Sequence, residues 1–573
     1  MEKIKVSSFK PVQRLGKLLK SERKNVYLIL FYAVINGVIV LTLPLGIQAI
    51  MNYVLGGRVS SSWVILILIV MAGLAISGLL QIAQITVTER LQQRIFSKSS
   101  FEFAVRLPRM KMEAVQNRYA PEMMNQFFDT VSLQKGLAKL LVDYPTATLQ
   151  VLFGLILISV YHPFFLLFSL SVTGILYLLF RYSGPIGVQS SLNESTNKYE
   201  VAHWLEELAR TMGTFKLAGL TNLPLLKVDK LILGYLYYRR KHFKILIFQF
   251  KTMVAFKVVT VGALLVMGSL LLMEGEISLG QFVAAEIVII QVMNSIEKLI
   301  IGLEDIYDVL TSLEKLGSIT DMPLDAEIQS ESNTLQESEA FEVELDNVVF
   351  GYPGSEKLIM DGVDLKVKAG EKIVLTGKQG SGKTTLLQLM TGIYEEYKGE
   401  ILYNGTPLKR LNQGDVRLHI GDNIWQETIF KGTVRENISL GKKGVTDEQI
   451  RKTLKSVGGM EGVQDLPDGL NTVLFPEGIK IPKSLGKKII LARTIASQPK
   501  LLLLELETHF MTKSEKERFY DFILSEPWTM MAVSWDETFM EKADRILFLE
   551  QGKVVFSGNL GELNQSEYAK YIR

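Results

Sequence analysis

The chain has 573 residues, enough for two to four domains, and its 48% apolar content excludes a disordered polymer. The net charge of +3 hides an asymmetry: residues 1–320 carry 32 Lys and Arg against 21 Asp and Glu (net +11), and residues 321–573 carry 31 against 39 (net −8). A basic half joined to an acidic one argues against a nucleic-acid partner held on one broad cationic face, and the absence of cysteine excludes disulfides, thiolate metal sites and cysteine nucleophiles.

No charged residue lies between Asn25 and Gly57, between Val59 and Thr88, or between Tyr144 and Phe180. Each run exceeds the ~20 apolar residues needed to cross a bilayer core. The third is long enough to cross twice, with a reversal at Tyr161-His162-Pro163 that a helix does not continue through. The pattern predicts membrane helices over 26–51, 62–86, 141–161, 164–181, 252–273 and 279–301. The first run is longer than a signal-peptide core and shows no small-residue cleavage site, so we expect it to be kept as a span. Lys3, Lys5, Lys10, Arg14, Lys17, Lys20, Arg23 and Lys24 precede it, which by the positive-inside bias keeps that end in the cytoplasm. The loop 56–61 is then external, and the basic, helix-patterned segments 89–140 and 182–250 are cytoplasmic.

Two charges interrupt the later spans. Counted from the external turn at Glu274-Gly275-Glu276, Lys257 and Glu286 differ in depth by roughly 10 Å, so they are not expected to pair. Lys257 is expected to snorkel to the cytoplasmic interface. Glu286, with Gln291 and Asn294, either lines a substrate path or serves helix packing through a bonded neighbour; both readings stay open.

Residues 317–340 form an acidic linker containing Asp321, Asp325, Glu327, Glu331, Glu337 and Glu339. The domain beyond it, 341–573, opens on strand-like alternation. A short buried strand at 373–376 leads into Gly377-Lys378-Gln379-Gly380-Ser381-Gly382-Lys383-Thr384, followed by Thr385 and an apolar helix. This is a complete phosphate-binding loop between strand and helix, whose backbone N–H groups cradle phosphates at a helix start. Lys383 is expected on the β- and γ-phosphates of ATP, and Thr384 on Mg²⁺. Upstream, Tyr352 is placed to stack on adenine, or is an ordinary turn tyrosine. The fold class is thus a six-helix all-α membrane domain plus an α/β P-loop NTPase domain.

Six spans followed by this domain resemble an ABC exporter half-transporter, closest in kind to type I secretion and bacteriocin exporters. The resemblance rests on the phosphate loop, on Gly432-Thr-Val-Arg-Glu-Asn-Ile438, on Leu491-Ala-Arg-Thr-Ile-Ala496, on Pro499-Lys-Leu-Leu-Leu-Leu504, and on Ala543-Asp-Arg-Ile-Leu-Phe-Leu549 with Gly552. It implies coupling helices, here near 120–128 and 212–220, and a second half-transporter as partner in a homodimer or heterodimer. It also implies a location in the cell's inner membrane among lipid, and a periplasmic adaptor where the host has two membranes.

The chain departs from that family at several positions. The signature that normally caps the γ-phosphate reads Ile481-Pro482-Lys483-Ser484-Leu485, in which Pro482 has no N–H to give. The Walker B strand ends Glu505-Leu506, so Glu505 can hold Mg²⁺ but Leu506 cannot serve as base. Glu507 lies one step further and is the candidate substitute. Trp535 occupies the switch-histidine position, and Trp425 the Q-loop position with Gln426 beside it. Two functions follow. One is an ATP-driven exporter of a peptide, protein or amphipathic molecule, an ABC-type ATPase in which Glu505, Glu507 and Gln426 act. The other is a non-hydrolysing, ATP-binding regulatory or structural subunit of an export complex.

Overall fold

The computed structural model describes residues 11–55, 61–116, 120–325, 338–425 and 428–571. The amino-terminal basic residues through Lys10, the loop 56–60, the linker residues 326–337 and Gln426 lie outside the described residues. The chain divides into a membrane unit, Lys3–Pro108 with Arg118–Met322, and a second unit, Pro323–Arg573, which also takes in Arg109–Asn117.

Among the described residues, six helical stretches are long and apolar enough to cross a bilayer. They far exceed a span. Ser61–Arg106 has 46 residues and Leu223–Met273 has 51, so at ~1.5 Å per residue each is about 70 Å or longer, against ~30 Å of hydrocarbon. The expected reversal is present. One helix ends at Tyr161, His162 is extended, and Pro163 opens the next, with His162 Nδ1 accepting from the Phe164 N–H at 3.2 Å. Proline suits a helix's first turn because its missing N–H has no partner there anyway.

Helix contacts here use small and polar residues, as apolar surface gives no driving force in lipid. A Cβ on Gly154 would stand 2.5 Å from the Val292 side chain, and one on Gly187 2.1 Å from the Tyr307 ring. Above Gly187, the Gln249 amide donates to Ser183 Oγ (2.9 Å) and Tyr307 Oη (2.8 Å). Ser190 pairs with His242 at 2.7 Å, and Ser191 with Thr311 at 2.9 Å.

Lys257 is not left to reach the interface alone: its Nζ lies 3.0 Å from the Glu297 carboxylate. The two residues stand nearly equal distances along the chain from the turn at 274–278, so adjacent antiparallel helices bring them level. Glu286 and Gln291 are half-buried and Asn294 is exposed on helix Leu279–Ile301. That helix starts on a capping box, Ser278 with Gln281. The following helix, Leu303–Thr320, runs four residues into the stretch read as linker.

Among the described residues the second unit has two main sheets and a small antiparallel pair of Gly432–Thr433 with Val473–Leu474. Six strands lie in the order Lys553–Gly558, Arg545–Glu550, Lys372–Gly377, Thr529–Val533, Leu501–Glu505, Ile420–Asp422, parallel except for the first. The central strands are buried on both faces and read as unbroken apolar runs, as parallel strands covered by helices must. An antiparallel sheet of Met360–Val367, Val343–Phe350, Lys398–Tyr403 and Thr406–Pro407 stands beside it.

The segment Arg109–Asn117 is grouped with the second unit. The helix that packs into this unit is Met112–Val115, whereas Ala120–Asn125 belongs to the membrane unit. Met110 bridges to Leu324, the buried Glu113 carboxylate accepts the Glu395 N–H at 2.6 Å, and Lys111 Nζ lies 2.6 Å from the Glu395 carboxylate. The 212–220 expectation corresponds to a helix, Met212–Leu217.

Candidate nucleotide-binding site

Strand Lys372–Gly377 delivers the phosphate loop to the carboxyl edge of the parallel sheet, where open α/β folds bind ligands. Gly377 sits at φ +141°, and a Cβ there would stand 2.2 Å from the Leu549 carbonyl oxygen of the neighbouring strand. Only glycine fits on either count. Helix Lys383–Met390 starts at Gly382 with no side-chain cap, so its first N–H groups face the loop's hollow.

Lys383 folds back along the loop. Its Nζ donates to the carbonyls of Gly377 (2.8 Å) and Lys378 (2.7 Å) and lies 3.3 Å from Ser381 Oγ. Burial lowers its pKa from the ordinary lysine value, opposed by the Glu505 charge. The Thr384 hydroxyl donates to the Glu505 carboxylate. Two hard oxygen donors beside a phosphate loop are the ligand set a Mg²⁺ ion prefers, so the residues present fit that ion. Glu505 is held by a residue the sequence did not single out. Asn423 Nδ2 donates to the Glu505 carbonyl (2.9 Å), and its Oδ1 accepts the Glu505 N–H (2.8 Å). Asn423 follows strand Ile420–Asp422, where backbone pairing with Leu501–Glu505 stops at Asp422 and Leu503, so its side chain replaces the next rung.

The cleft above the loop, about 640 Å³, is lined by Lys378, Gln379, Gly380, Lys383, Thr384 and Glu505, and closed by Leu506, Glu507, Trp535 and Tyr571. Trp535 is 50% exposed, with its ring centroid 5.2 Å from Lys383 Nζ. Glu507 lines the cleft but is engaged elsewhere: its carboxylate lies 2.6 Å from Lys487 Nζ on the helix Lys483–Ala496. That bond and charge hold its pKa below the ordinary glutamate value. Leu506 is fixed by its N–H on the Val533 carbonyl, 2.9 Å, with its side chain against the domain core.

The other expected positions are distributed as follows. Tyr352 is half-buried, its hydroxyl 2.8 Å from Thr385 Oγ1 and 3.1 Å from the Gln388 side chain, its ring against Phe350 and Tyr394. Trp425 packs on Tyr394. In the signature segment, Pro482 and Lys483 are exposed, Ser484 is half-buried and Leu485 is buried. Pro482 precedes the helix with no side-chain cap, and its carbonyl accepts the Gly486 N–H at 3.0 Å.

Residues 360–505 match the family described as ABC transporter, and residues 26–296 match the ABC transporter transmembrane region. The chain is 28% identical over 278 residues to an ATP-dependent lipid A-core flippase of Pseudomonas fluorescens, covering 48% of this chain and 44% of that protein. It is 26% identical over 307 residues to a leukotoxin translocation ATP-binding protein of a Pasteurella haemolytica-like species, covering 53% and 43%. The matched region thus spans about half the length of these relatives. The fold superposes on a bacterial Atm1-family ABC exporter with ATP bound at a TM-score of 0.82, with 18% identity, over 96% of this chain and 97% of that one. The chain therefore belongs to the ABC transporters, carrying that family's transmembrane region followed by its nucleotide-binding domain.

Proposed function

We propose that the chain is one half of an ATP-dependent exporter, working with a second half-transporter in a cell's inner membrane, its nucleotide-binding domain in the cytoplasm. The observation that carries this reading is the single cleft in which Lys383, Thr384 and Glu505 converge. Lys383 and the uncapped helix start bind the β- and γ-phosphates of ATP, and Thr384 and Glu505 would hold Mg²⁺, whose charge neutralises those phosphates. The relatives' names, a lipid A-core flippase and a leukotoxin translocator, point to an amphipathic or polypeptide cargo. Glu286, Gln291 and Asn294 are proposed to line its path, and a periplasmic adaptor remains part of the proposal for a host with two membranes.

The Lys487–Glu507 pair favours a second reading, a non-hydrolysing regulatory or structural subunit of an export complex that holds ATP. A carboxylate whose pKa is lowered by a lysine is a weak proton acceptor, and Leu506 supplies none. ATP binding and steady-state hydrolysis by the purified protein in lipid test both readings. Binding and hydrolysis lost in Lys383→Ala support the pump. Binding without turnover above that of Lys383→Ala supports the second reading, and a parent that binds no ATP refutes both. Full turnover in Glu507→Gln removes Glu507 as base.

A further inference from the structure

The cleft holds an aromatic residue that the phosphate-loop motif does not account for. Tyr571, in the 3-10 turn Ala569–Tyr571, lines it beside Gly377, Lys378 and Gly380. Its ring centroid is 4.3 Å from the Nζ of Lys378, and the same ammonium forms an ion pair with Glu550, which ends the strand next to the loop's own strand. The turn is anchored from below. Phe548, fully buried, stacks on Tyr568 at 4.7 Å and meets Tyr571 at 6.0 Å. The partnership is chemical as well as steric: contact with Lys378 lowers the phenol's pKa, and Glu550 with Tyr571 raises that of the lysine.

Lys378 matters through its backbone. Its carbonyl is one of the two that hold Lys383 Nζ, at 2.7 Å. A contact that fixes the Lys378 side chain therefore fixes the peptide that aims the phosphate-binding lysine. Trp535 stands over Lys383 itself, so each lysine of the loop carries one aromatic ring.

We propose that Tyr571 is a positioning residue of the nucleotide site, clasping Lys378 against Glu550 so that the loop is preset for the triphosphate and walled on that side. The inference rests on the ATP-binding reading above. Its test is equilibrium binding of Mg²⁺-ATP to the purified full chain in lipid, for the parent, Tyr571→Ala, Tyr571→Phe, Lys378→Gln and the Lys378→Gln/Tyr571→Ala double variant. An exposed cation–ring contact leads us to expect about two- to fivefold weaker binding in Tyr571→Ala and in Lys378→Gln. Tyr571→Phe, which keeps the ring, should recover most of it. The double variant should be no weaker than the worse single variant, because both remove one contact. Unchanged affinity in Tyr571→Ala, single losses that multiply in the double variant, or a Tyr571→Phe as weak as Tyr571→Ala would each overturn the clasp. A parent that binds no ATP overturns the function reading as well, which separates the two failures.

Discussion

Replacing Asn423 by alanine tests how the Walker B carboxylate is kept in place. The Asn423 amide makes two hydrogen bonds to one residue, at 2.9 and 2.8 Å, and they satisfy both backbone groups of Glu505 on that side. At about 0.5–1.5 kcal/mol net for each bond, the loss is about 1–3 kcal/mol. For a domain of this size each kcal/mol moves the thermal midpoint about 2–4 °C, so the nucleotide-binding unit should melt about 2–12 °C lower. The functional consequence is separate. With the strand end loosened, Glu505 no longer meets the Thr384 hydroxyl in one geometry, so Mg²⁺-ATP affinity should fall along with stability. Asn423→Asp is the informative companion. It keeps an acceptor for the Glu505 N–H but turns a second carboxylate oxygen on the Glu505 carbonyl, and should do no better than alanine. Calorimetry of the full chain with ATP titration on the same samples reads both effects. A midpoint within about 1 °C of the parent, with unchanged ATP affinity, would refute the bracket.

Three further outcomes follow from the same geometry. Gly187→Ala drives a methyl group into Tyr307 and should cost about 1–3 kcal/mol, read as a lower melting temperature in detergent. Leu506→Glu restores a carboxylate directly after Glu505; if the missing base limits turnover, ATP hydrolysis in lipid should rise about 10²–10⁴-fold, and an unchanged rate places the limit elsewhere. Glu515 is pushed up by burial, but its bonds to Lys488 (2.7 Å) and Thr512 outweigh that and leave its pKa below the ordinary glutamate value. Its stabilisation is thus present above the unfolded value of about 4.3 and lost as pH falls through the lower folded value. Melting temperature against pH should show this acid loss in the parent, and Lys488→Met should flatten or reverse it.

Four spans were legible from charge-free runs and two from apolar runs that Lys257 and Glu286 interrupt, and the phosphate loop from two glycines, a lysine and a threonine at fixed spacing. The signature-adjacent motifs also proved to be neighbours: buried Arg493 of the 491–496 run donates to the Asn437 carbonyl of the 432–438 run at 2.6 Å. What the sequence hid was set by which chain segments meet. Nothing in the spacing of Lys487 and Glu507, Lys257 and Glu297, or Lys378 and Tyr571 announces a contact; each arises from two elements brought level by the fold. Asn423 carried a faint signal, an amide placed where a strand ends. The resemblance placed the first coupling segment near 120–128 by position alone, and it gave no sign that Arg109–Asn117 joins the second unit through backbone pairing and the Glu113 carboxylate.

Three of the positions where the chain differs from the expected pattern, Leu506, Glu507 and Trp535, line the same cleft as the phosphate loop. The groups proposed to bind ATP and Mg²⁺ keep their chemistry: the glycines, Lys383, Thr384, and a carboxylate at Glu505. The positions at which the resemblance implies catalytic groups differ: Leu506 is apolar, Trp535 is an aromatic over Lys383, and Glu507 is bound to Lys487. Binding free energy comes mainly from charge and N–H groups around the inner phosphates, whereas turnover depends on a base and donors at the outer one. On the second reading proposed above, absence of the catalytic set removes hydrolysis while leaving the affinity that a switch needs. On that reading the site favours long occupancy, and the Lys487–Glu507 pair suits that state, because it ties the segment after Glu505 to the helix Lys483–Ala496.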